Sequence, residues 1–313
     1  MKISVTTPVK AHHRAWLEEA AGDCPLVYGL EEDAEVIIGD LGPEELRKAK
    51  KLRWFHLVWA GVDRYKVSDF PENALFTNGS GAYGVTIAEH MMACILALYR
   101  QLRHYDGLQK RHVWDSDWQE DTLEGKTVLI LGTGDIGTAL AKRLSGFDCR
   151  VIGVRRTEGE LPYFDEMHTM EDLDTLLPMA DVVACCLPGT AETKGLLDEN
   201  RLRAMKPKAL LLNCGRGSLI DTKALETVLL EGHLGGCGLD VTDPEPLPAD
   251  SHLWDLERVI LTPHISGASF GHVAEMEDKI YRLAAENLRR YLGGEELLNR
   301  VDFQAGYRKR STP

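Results

Sequence analysis

The chain has 313 residues, 44% of them hydrophobic, which is material for two ordinary domains and too apolar for a disordered or fibrous protein. The net charge is -13, and Lys and Arg are scattered without a long basic block, which excludes a sequence-independent grip on nucleic acid phosphates. No apolar run approaches the roughly 20 residues of a membrane span, and the seven cysteines (24, 94, 149, 185, 186, 214, 237) have no CxxC spacing, so neither a disulfide framework nor a zinc site is expected and a reduced, cytoplasmic setting is.

Strand-like apolar runs alternate with helix-like amphipathic ones, the pattern of an α/β fold with a parallel sheet. The N-terminal Met1-Lys-Ile-Ser-Val-Thr-Thr-Pro8 reads as a first strand, without the apolar stretch and cleavage site of a signal peptide. Strands are predicted at residues 2–6, 36–38, 54–57 and 75–77, with helices such as 12–21 and 43–49 between them. Residues 85–103, rich in Ala, Leu, Ile and Met and free of Gly and Pro, predict one long buried helix bridging two domains. A second α/β series starts at Leu123-Glu-Gly-Lys-Thr-Val-Leu-Ile-Leu131 and continues through strands near 150–154, 182–187, 209–213, 236–241 and 259–261. A last helix, 271–292, has apolar positions at helical spacing with only Asn287 off pattern, and it has no new strand series to serve, so it is placed back on the first domain. The expected boundaries are 1–98 with 270–313 for one domain and 99–269 for the other.

Val128-Leu-Ile-Leu-Gly-Thr-Gly-Asp-Ile-Gly137 is an apolar strand running into a glycine-rich turn and then a helix. Gly132 and Gly134 suit a tight turn and close approach of a pyrophosphate, Gly137 suits close helix packing, and the helix N-terminus faces the phosphates. The motif alone is weak; its strand-turn-helix setting makes it a dinucleotide site. Where NAD-selective chains close the second strand with an acidic residue, this chain has Val154-Arg155-Arg156-Thr157. Guanidinium groups there can fork onto a 2′-phosphate, which favours NADP over NAD.

Three polar residues follow predicted strands further on: Arg216 in Asn213-Cys-Gly-Arg-Gly217, Glu245 in Asp243-Pro-Glu-Pro246, and His264 in Thr262-Pro-His-Ile-Ser-Gly267. Each alone is commonplace, as a solvated turn arginine, an exposed glutamate or a histidine bound to backbone. Together, beyond the carboxyl ends of strands in the domain with the glycine turn, they form the outline of a redox site. Arg216 offers two parallel donors for a planar carboxylate, His264 can exchange a proton near neutral pH, and a neighbouring carboxylate such as Glu245 favours its imidazolium.

The motifs together are similar to those of the D-isomer-specific 2-hydroxyacid dehydrogenases, the family that includes glyoxylate/hydroxypyruvate reductases and phosphoglycerate dehydrogenase. The resemblance runs over essentially the whole chain, through Ala60-Gly-Val-Asp63, residues 78–84, Ile87-Ala-Glu-His90, the glycine fingerprint, Leu187-Pro-Gly-Thr-Ala-Glu-Thr193, the Arg216 motif, Gly238-Leu-Asp-Val241, the Glu245 motif and the His264 motif. It implies two Rossmann-like domains, a doubly wound cofactor domain inserted in a discontinuous flavodoxin-like substrate domain, with a cleft between. It implies that Arg216 clamps the substrate carboxylate, that His264 is the acid-base and that Glu245 pairs with it, with the amides of Ala60, Gly61 and Val62 completing an anion pocket. It further implies that Asp135, Ile136 and Gly267 lie at the cofactor site and Asp240 near the nicotinamide carboxamide. Leu187, Pro188, Thr193, Cys214 and Gly215 are then cofactor walls.

The activity so implied is NAD(P)H-dependent, reversible reduction of small 2-oxo acids to D-2-hydroxy acids by a homodimer. With about fifty residues after His264, the regulatory domain of some phosphoglycerate dehydrogenases is not expected. A nucleotide-sensing, corepressor-like binding protein is the alternative from another class, and nothing outside the dehydrogenase core remains to recruit partners. Formate dehydrogenase fits less well, since that branch has Gln where this chain has Glu245. Trp59, Tyr83 and aromatic residues of the 85–103 helix are expected in the pocket wall. Cys185 and Cys186 should face opposite sides of a strand, as packing residues. His12, His13, His104 and His112 lack metal-ligand spacing with acidic partners and read as surface residues, so no metal is expected.

Overall fold

A computed structural model describes residues 1–116, 120–267, 270, 272–303 and 307–308. The chain divides into two compact units, Met1–Tyr83 with Ala268–Pro313, and Gly84–Gly267. Among the described residues no helix is long and apolar enough to cross a membrane.

The first unit is built on five parallel strands, β1 (Ile3–Val5), β2 (Leu26–Tyr28), β3 (Val36–Gly39), β4 (Trp54–Leu57) and β5 (Leu75–Asn78). Their order is β2-β1-β3-β4-β5, the doubly wound, flavodoxin-like arrangement. Every residue of β1, β3 and β4 is buried, because helices must cover both faces of a parallel sheet and its strands therefore read as continuous apolar runs. The sequence pattern misses β2 for the same reason in reverse, since it is an edge strand whose three residues are only half-buried.

On one face lie α1 (Ala11–Ala21) and α9 (Ala274–Gly293), packed against each other; the short α2 (Pro43–Leu46) has Pro43 at its start. The helix α9 has acidic residues in its first turn and stops at Gly294, whose φ of 69° provides the left-handed cap. Gly271, its expected first residue, lies outside the described residues. Asn287, the off-pattern residue, is fully buried as a clasp: its Nδ2 donates to the Leu298 carbonyl at 3.0 Å and its Oδ1 accepts the Leu298 N–H at 2.7 Å. Tyr83 is core and not pocket wall, because it is only 5% exposed and its hydroxyl donates to the Val58 carbonyl at 2.8 Å. Trp59 is half-buried, with its ring edge-on to Phe270 at 5.2 Å. Val301–Asp302 and Tyr307–Arg308 form a small antiparallel ribbon, β13 and β14.

The second unit opens with α3 (Gly84–Tyr99) and α4 (Leu102–Lys110) where one long helix is expected. Gln101 adopts φ 53°, which ends the first helix in the left-handed region and lets the second set off afresh. The aromatic residue of α3, Tyr99, is buried at 5% exposure and is also core. The expected boundary at residue 98 thus differs from the division at Tyr83, since α3 belongs to this unit and packs along α5 (Asp135–Leu144).

The seven strands of this unit are β6 (Thr127–Leu131), β7 (Arg150–Arg155), β8 (Glu166–Thr169), β9 (Val182–Cys185), β10 (Leu210–Asn213), β11 (Gly236–Leu239) and β12 (Val259–Leu261). All are parallel, in the order β12-β11-β10-β9-β6-β7-β8. The polar edge strand β8 is the other element missed in the sequence, because it is half-buried throughout. The helix α5 buries Gly137, Leu140, Ala141 and Leu144, one helical face, and places Asp135 in its first turn and Lys142 and Arg143 in its last, as the helix dipole favours. Shorter helices α6 (Leu173–Leu176), α7 (Glu199–Ala204) and α8 (Thr222–Leu230) complete the layers, the last two capped by the Asp198 and Asp221 side chains.

Candidate active site

In a doubly wound sheet, ligands bind beyond the carboxyl ends of the strands where the order reverses. Here the reversal falls between β6 and β9. The fingerprint follows β6, Arg155 and Arg156 fall at the end of β7, Leu187 and Pro188 follow β9, Arg216 follows β10, Asp240 follows β11 and His264 follows β12, so the predicted residues of this unit lie at the carboxyl ends of six adjoining strands.

The turn from β6 to α5 suits a pyrophosphate. Gly132 has φ 98°, which side chains rarely adopt, and a Cβ on Gly137 would stand 2.0 Å from the Gly132 carbonyl oxygen. A Cβ on Gly134 would meet no atom within 4 Å, so the α5 N-terminus opens onto free space where a phosphate can approach the backbone. The Asp135 carboxylate accepts the N–H of Gly84 at 2.8 Å, at the start of α3; its main chain, with that of Ile136, forms the first turn of α5. Arg155 ends β7 half-buried, and exposed Arg156 lies 4.0 Å from Glu192.

His264 and Glu245, 19 residues apart, meet with Nδ1 2.8 Å from Oε1. Both are about half exposed, at 48% and 43%. His264 has φ 55°, and its N–H donates to the carbonyls of Asp240 at 2.8 Å and Thr262 at 3.0 Å. Arg216 heads a short 3-10 turn; its Nη1 donates to the Gly215 carbonyl at 2.9 Å, and Asn213 Nδ2 donates to the Arg216 carbonyl at 2.9 Å. Asn213 Oδ1 in turn accepts the Gly215 N–H at 3.0 Å, so this fully buried amide shapes the arginine loop. Two close approaches fix where that loop lies: a Cβ on Gly217 would be 1.9 Å from the Thr242 carbonyl oxygen, and one on Gly189 would be 3.0 Å from Arg216 Cγ.

Asp240 is buried, at 2% exposure, and its carboxylate is fully engaged. Oδ1 accepts from Thr262 Oγ1 at 2.6 Å and from the Ile265 N–H at 2.9 Å; Oδ2 accepts from the Ser266 N–H at 3.0 Å and Ser266 Oγ at 2.5 Å. Burial pushes its pKa up, but these hydrogen bonds outweigh that and hold it below the usual carboxylate range. Thr262 Oγ1 is also 3.2 Å from His90 Nε2. The sequence pattern does not single out Thr262, Ser266 or His90, although Thr262 and Ser266 flank His264 and His90 closes Ile87-Ala-Glu-His90.

Thr193 Oγ1 accepts the Thr190 N–H at 2.9 Å and donates to the Pro188 carbonyl at 2.7 Å, closing the loop after β9. The Gly267 carbonyl accepts from Thr86 Oγ1 at 3.2 Å. Cys214 is 8% exposed, and burial pushes its thiol far above the ordinary value, which suits a wall and not a nucleophile. Cys185 belongs to the core, while Cys186 Sγ lies 3.8 Å from Met91 Sδ. In the other unit, Ala60, Gly61 and Val62 follow β4: the Ala60 carbonyl accepts from Asn78 Nδ2 at 2.6 Å, and Val62 packs into the core.

A glycine cradle at the switch point of a parallel sheet is the mark of dinucleotide-dependent enzymes. The family model described as D-isomer specific 2-hydroxyacid dehydrogenase, NAD binding domain, matches residues 92–266. A glyoxylate/hydroxypyruvate reductase B of Pectobacterium carotovorum is 36% identical over 282 residues, covering 87% of this chain and 86% of the relative. The crystal structure of a D-isomer specific 2-hydroxyacid dehydrogenase family protein from Aeromonas salmonicida is 34% identical with a TM-score of 0.85, covering 96% of this chain and 99% of that one. Another from Xanthobacter autotrophicus, in complex with NADPH and MES, is 27% identical with a TM-score of 0.83, covering 98% and 99%. The chain belongs to the D-isomer specific 2-hydroxyacid dehydrogenase family. It is therefore an oxidoreductase with a nicotinamide-binding domain.

Proposed function

We propose that the protein reduces small 2-oxo acids to D-2-hydroxy acids, with NADPH as the preferred hydride donor. The reading rests above all on the 2.8 Å contact between His264 Nδ1 and Glu245 Oε1. An ionised carboxylate can only accept, so Nδ1 carries the hydrogen of that bond and Nε2 remains to exchange a proton with substrate. A bound reduced nicotinamide supplies the hydride.

The chain's own residues do the rest. Arg216 holds the substrate carboxylate with parallel donors and draws charge from the 2-oxo oxygen. His264 gives its Nε2 proton to that oxygen as the carbon gains hydride, so that R–CO–COO⁻ takes up one hydride and one proton to become R–CHOH–COO⁻. Glu245 keeps the ring oriented and stabilises the imidazolium that donates. In the oxidative direction the same nitrogen takes the proton back. A carboxylate partner suits a substrate with a proton to exchange, as a 2-oxo acid has and formate lacks.

Preference for NADPH is supported by Arg155 and Arg156 at the end of β7, where an acidic residue would repel a 2′-phosphate. The relative from Xanthobacter autotrophicus was crystallised with NADPH. Glyoxylate and hydroxypyruvate are the first substrates to try, after the name of the Pectobacterium relative.

The deciding experiment assays a panel of 2-oxo acids with NADPH and with NADH, for wild type and His264→Ala. We expect turnover with NADPH to dominate and the variant to lose about 10²–10⁴-fold in kcat. Near wild-type turnover by the variant on every acid sinks the acid-base role, and a higher kcat/KM with NADH sinks the cofactor preference.

A further inference from the structure

In the unit that does not carry Arg216, Glu245 and His264, the N-terminal turn of α1 meets α9 in a cluster that the sequence pattern hides. His12 and His13 are neighbours in α1, and Asp278 lies one turn into α9. His12 Nε2 is 2.8 Å and His13 Nε2 2.9 Å from the same atom, Asp278 Oδ1. One donor atom from each of the three residues falls within 4.8 Å of the other two. We propose that this is a binding site for a divalent cation of the Zn²⁺ class, held by two imidazoles and one carboxylate and clipping α1 to α9.

Geometry and chemistry both suit such an ion. Zinc bonds of roughly 2.0–2.2 Å in tetrahedral array place ligand atoms roughly 3.3 Å apart, so the two contacts to Asp278 need open by only a few tenths of an ångström. Imidazole nitrogen with a single carboxylate selects zinc, nickel or copper over the hard ions calcium and magnesium, which take all-oxygen sets. His12 is 50% exposed and Asp278 35%, which leaves an entry path and room for water at a fourth position; His13, at 1%, is fixed from behind.

That backing is specific. The Tyr281 ring stacks on His13 with centroids 4.4 Å apart, and the Tyr281 hydroxyl donates to the Pro8 carbonyl at 2.5 Å. Trp16 stands edge-on to His12 at 5.1 Å. The cation nearby on α1's leading residue, Lys10, is engaged by Glu277 at 2.5 Å. Coordination requires each neutral ring to move its proton from Nε2 to Nδ1. For His13 this gives up only a 3.4 Å contact from the Lys10 N–H, at the outer limit of a hydrogen bond.

The test takes the full-length protein stripped of metal by chelator and dialysis, and titrates ZnCl₂ while following the unfolding temperature. Binding to the folded state alone raises Tm. We expect a rise of about 2 °C or more at micromolar Zn²⁺, reversed by EDTA, lost in His12→Ala and in Asp278→Asn, and kept in His264→Ala. His12 is exposed, so its variant should fold as wild type does. No rise up to about 100 µM Zn²⁺, or an equal rise in His12→Ala, overturns the proposal. So does a response lost in His264→Ala and kept in His12→Ala, which moves the ion to the candidate active site. The outcome does not depend on which substrate or cofactor the protein uses.

Discussion

The main-chain carbonyl of Asp240 accepts the N–H of His264 at 2.8 Å, while the Asp240 carboxylate holds the next two residues of the same loop by the N–H groups of Ile265 and Ser266. His264 itself sits at φ 55°, a conformation that costs a non-glycine residue about 1–3 kcal/mol. The four donors on the Asp240 carboxylate, with the His264 N–H on its carbonyl, offset that cost and hold the loop that carries the imidazole. Asp240→Asn replaces one acceptor oxygen by an amide NH₂ that confronts a donor, leaving a buried group unsatisfied at about 1–3 kcal/mol. We expect Tm to fall by a few degrees and kcat to fall at least tenfold, read by calorimetry and steady-state kinetics. Unchanged kcat would show that the histidine loop holds itself.

Arg155 and Arg156 test the cofactor reading. A charge-assisted hydrogen bond to a 2′-phosphate contributes about 1.5–3 kcal/mol. Arg155→Ala should therefore lower kcat/KM for NADPH about ten- to a hundredfold and leave kcat/KM for NADH nearly unchanged. An equal loss with both cofactors would mean that Arg155 supports the end of β7 and does not read the phosphate.

Much of this candidate site is legible in the sequence because Arg216 and His264 each lie just beyond a strand of a parallel sheet. An apolar run followed by a short polar motif marks Arg216 and His264 in the sequence, and β4, β5 and β12 fall where the pattern puts them, within one residue at each end. The edge strands β2 and β8 do not announce themselves, since half-buried edges lack the continuous apolar run. The break between α3 and α4 depends on one left-handed residue, Gln101, in a stretch without Gly or Pro. Pairings across long separations are hidden altogether: Asp278 is 265 residues from His13, and no local spacing connects them.

His56 makes stability pH-dependent. It is fully buried in β4, with Nδ1 2.8 Å from Thr77 Oγ1 and no hydrogen-bond partner for Nε2 among the described residues. Burial lowers its pKa from 6.5 to about 3. In the unfolded chain the ring takes a proton below about pH 6.5 while the folded protein does not, so the unfolded state binds more protons there. Stability contributed by the neutral ring is fully present above pH 6.5 and is lost as pH falls toward 3, at up to about 1.4 kcal/mol per pH unit. Denaturant melts of wild type and His56→Leu between pH 7 and 4 should differ in slope by nearly that amount, whatever their difference at pH 7. Parallel pH dependences would mean that His56 becomes protonated without unfolding.

The three fingerprint glycines separate folding from cofactor binding. At Gly137 a Cβ would lie 2.0 Å from the Gly132 carbonyl oxygen and 3.0 Å from Ile130 Cγ2, so Gly137→Ala must push α5 away from β6. We expect a lowered Tm or poor solubility from that variant even without cofactor. At Gly134 nothing lies within 4 Å of an added Cβ, so Gly134→Ala meets no clash and should lose less Tm than Gly137→Ala. The added methyl then stands where the pyrophosphate must approach the α5 N-terminus. KM for the nicotinamide cofactor should rise at least tenfold, while Arg216, Glu245 and His264 keep their places. Wild-type cofactor affinity in Gly134→Ala would put the phosphates elsewhere and remove the cradle from the mechanism.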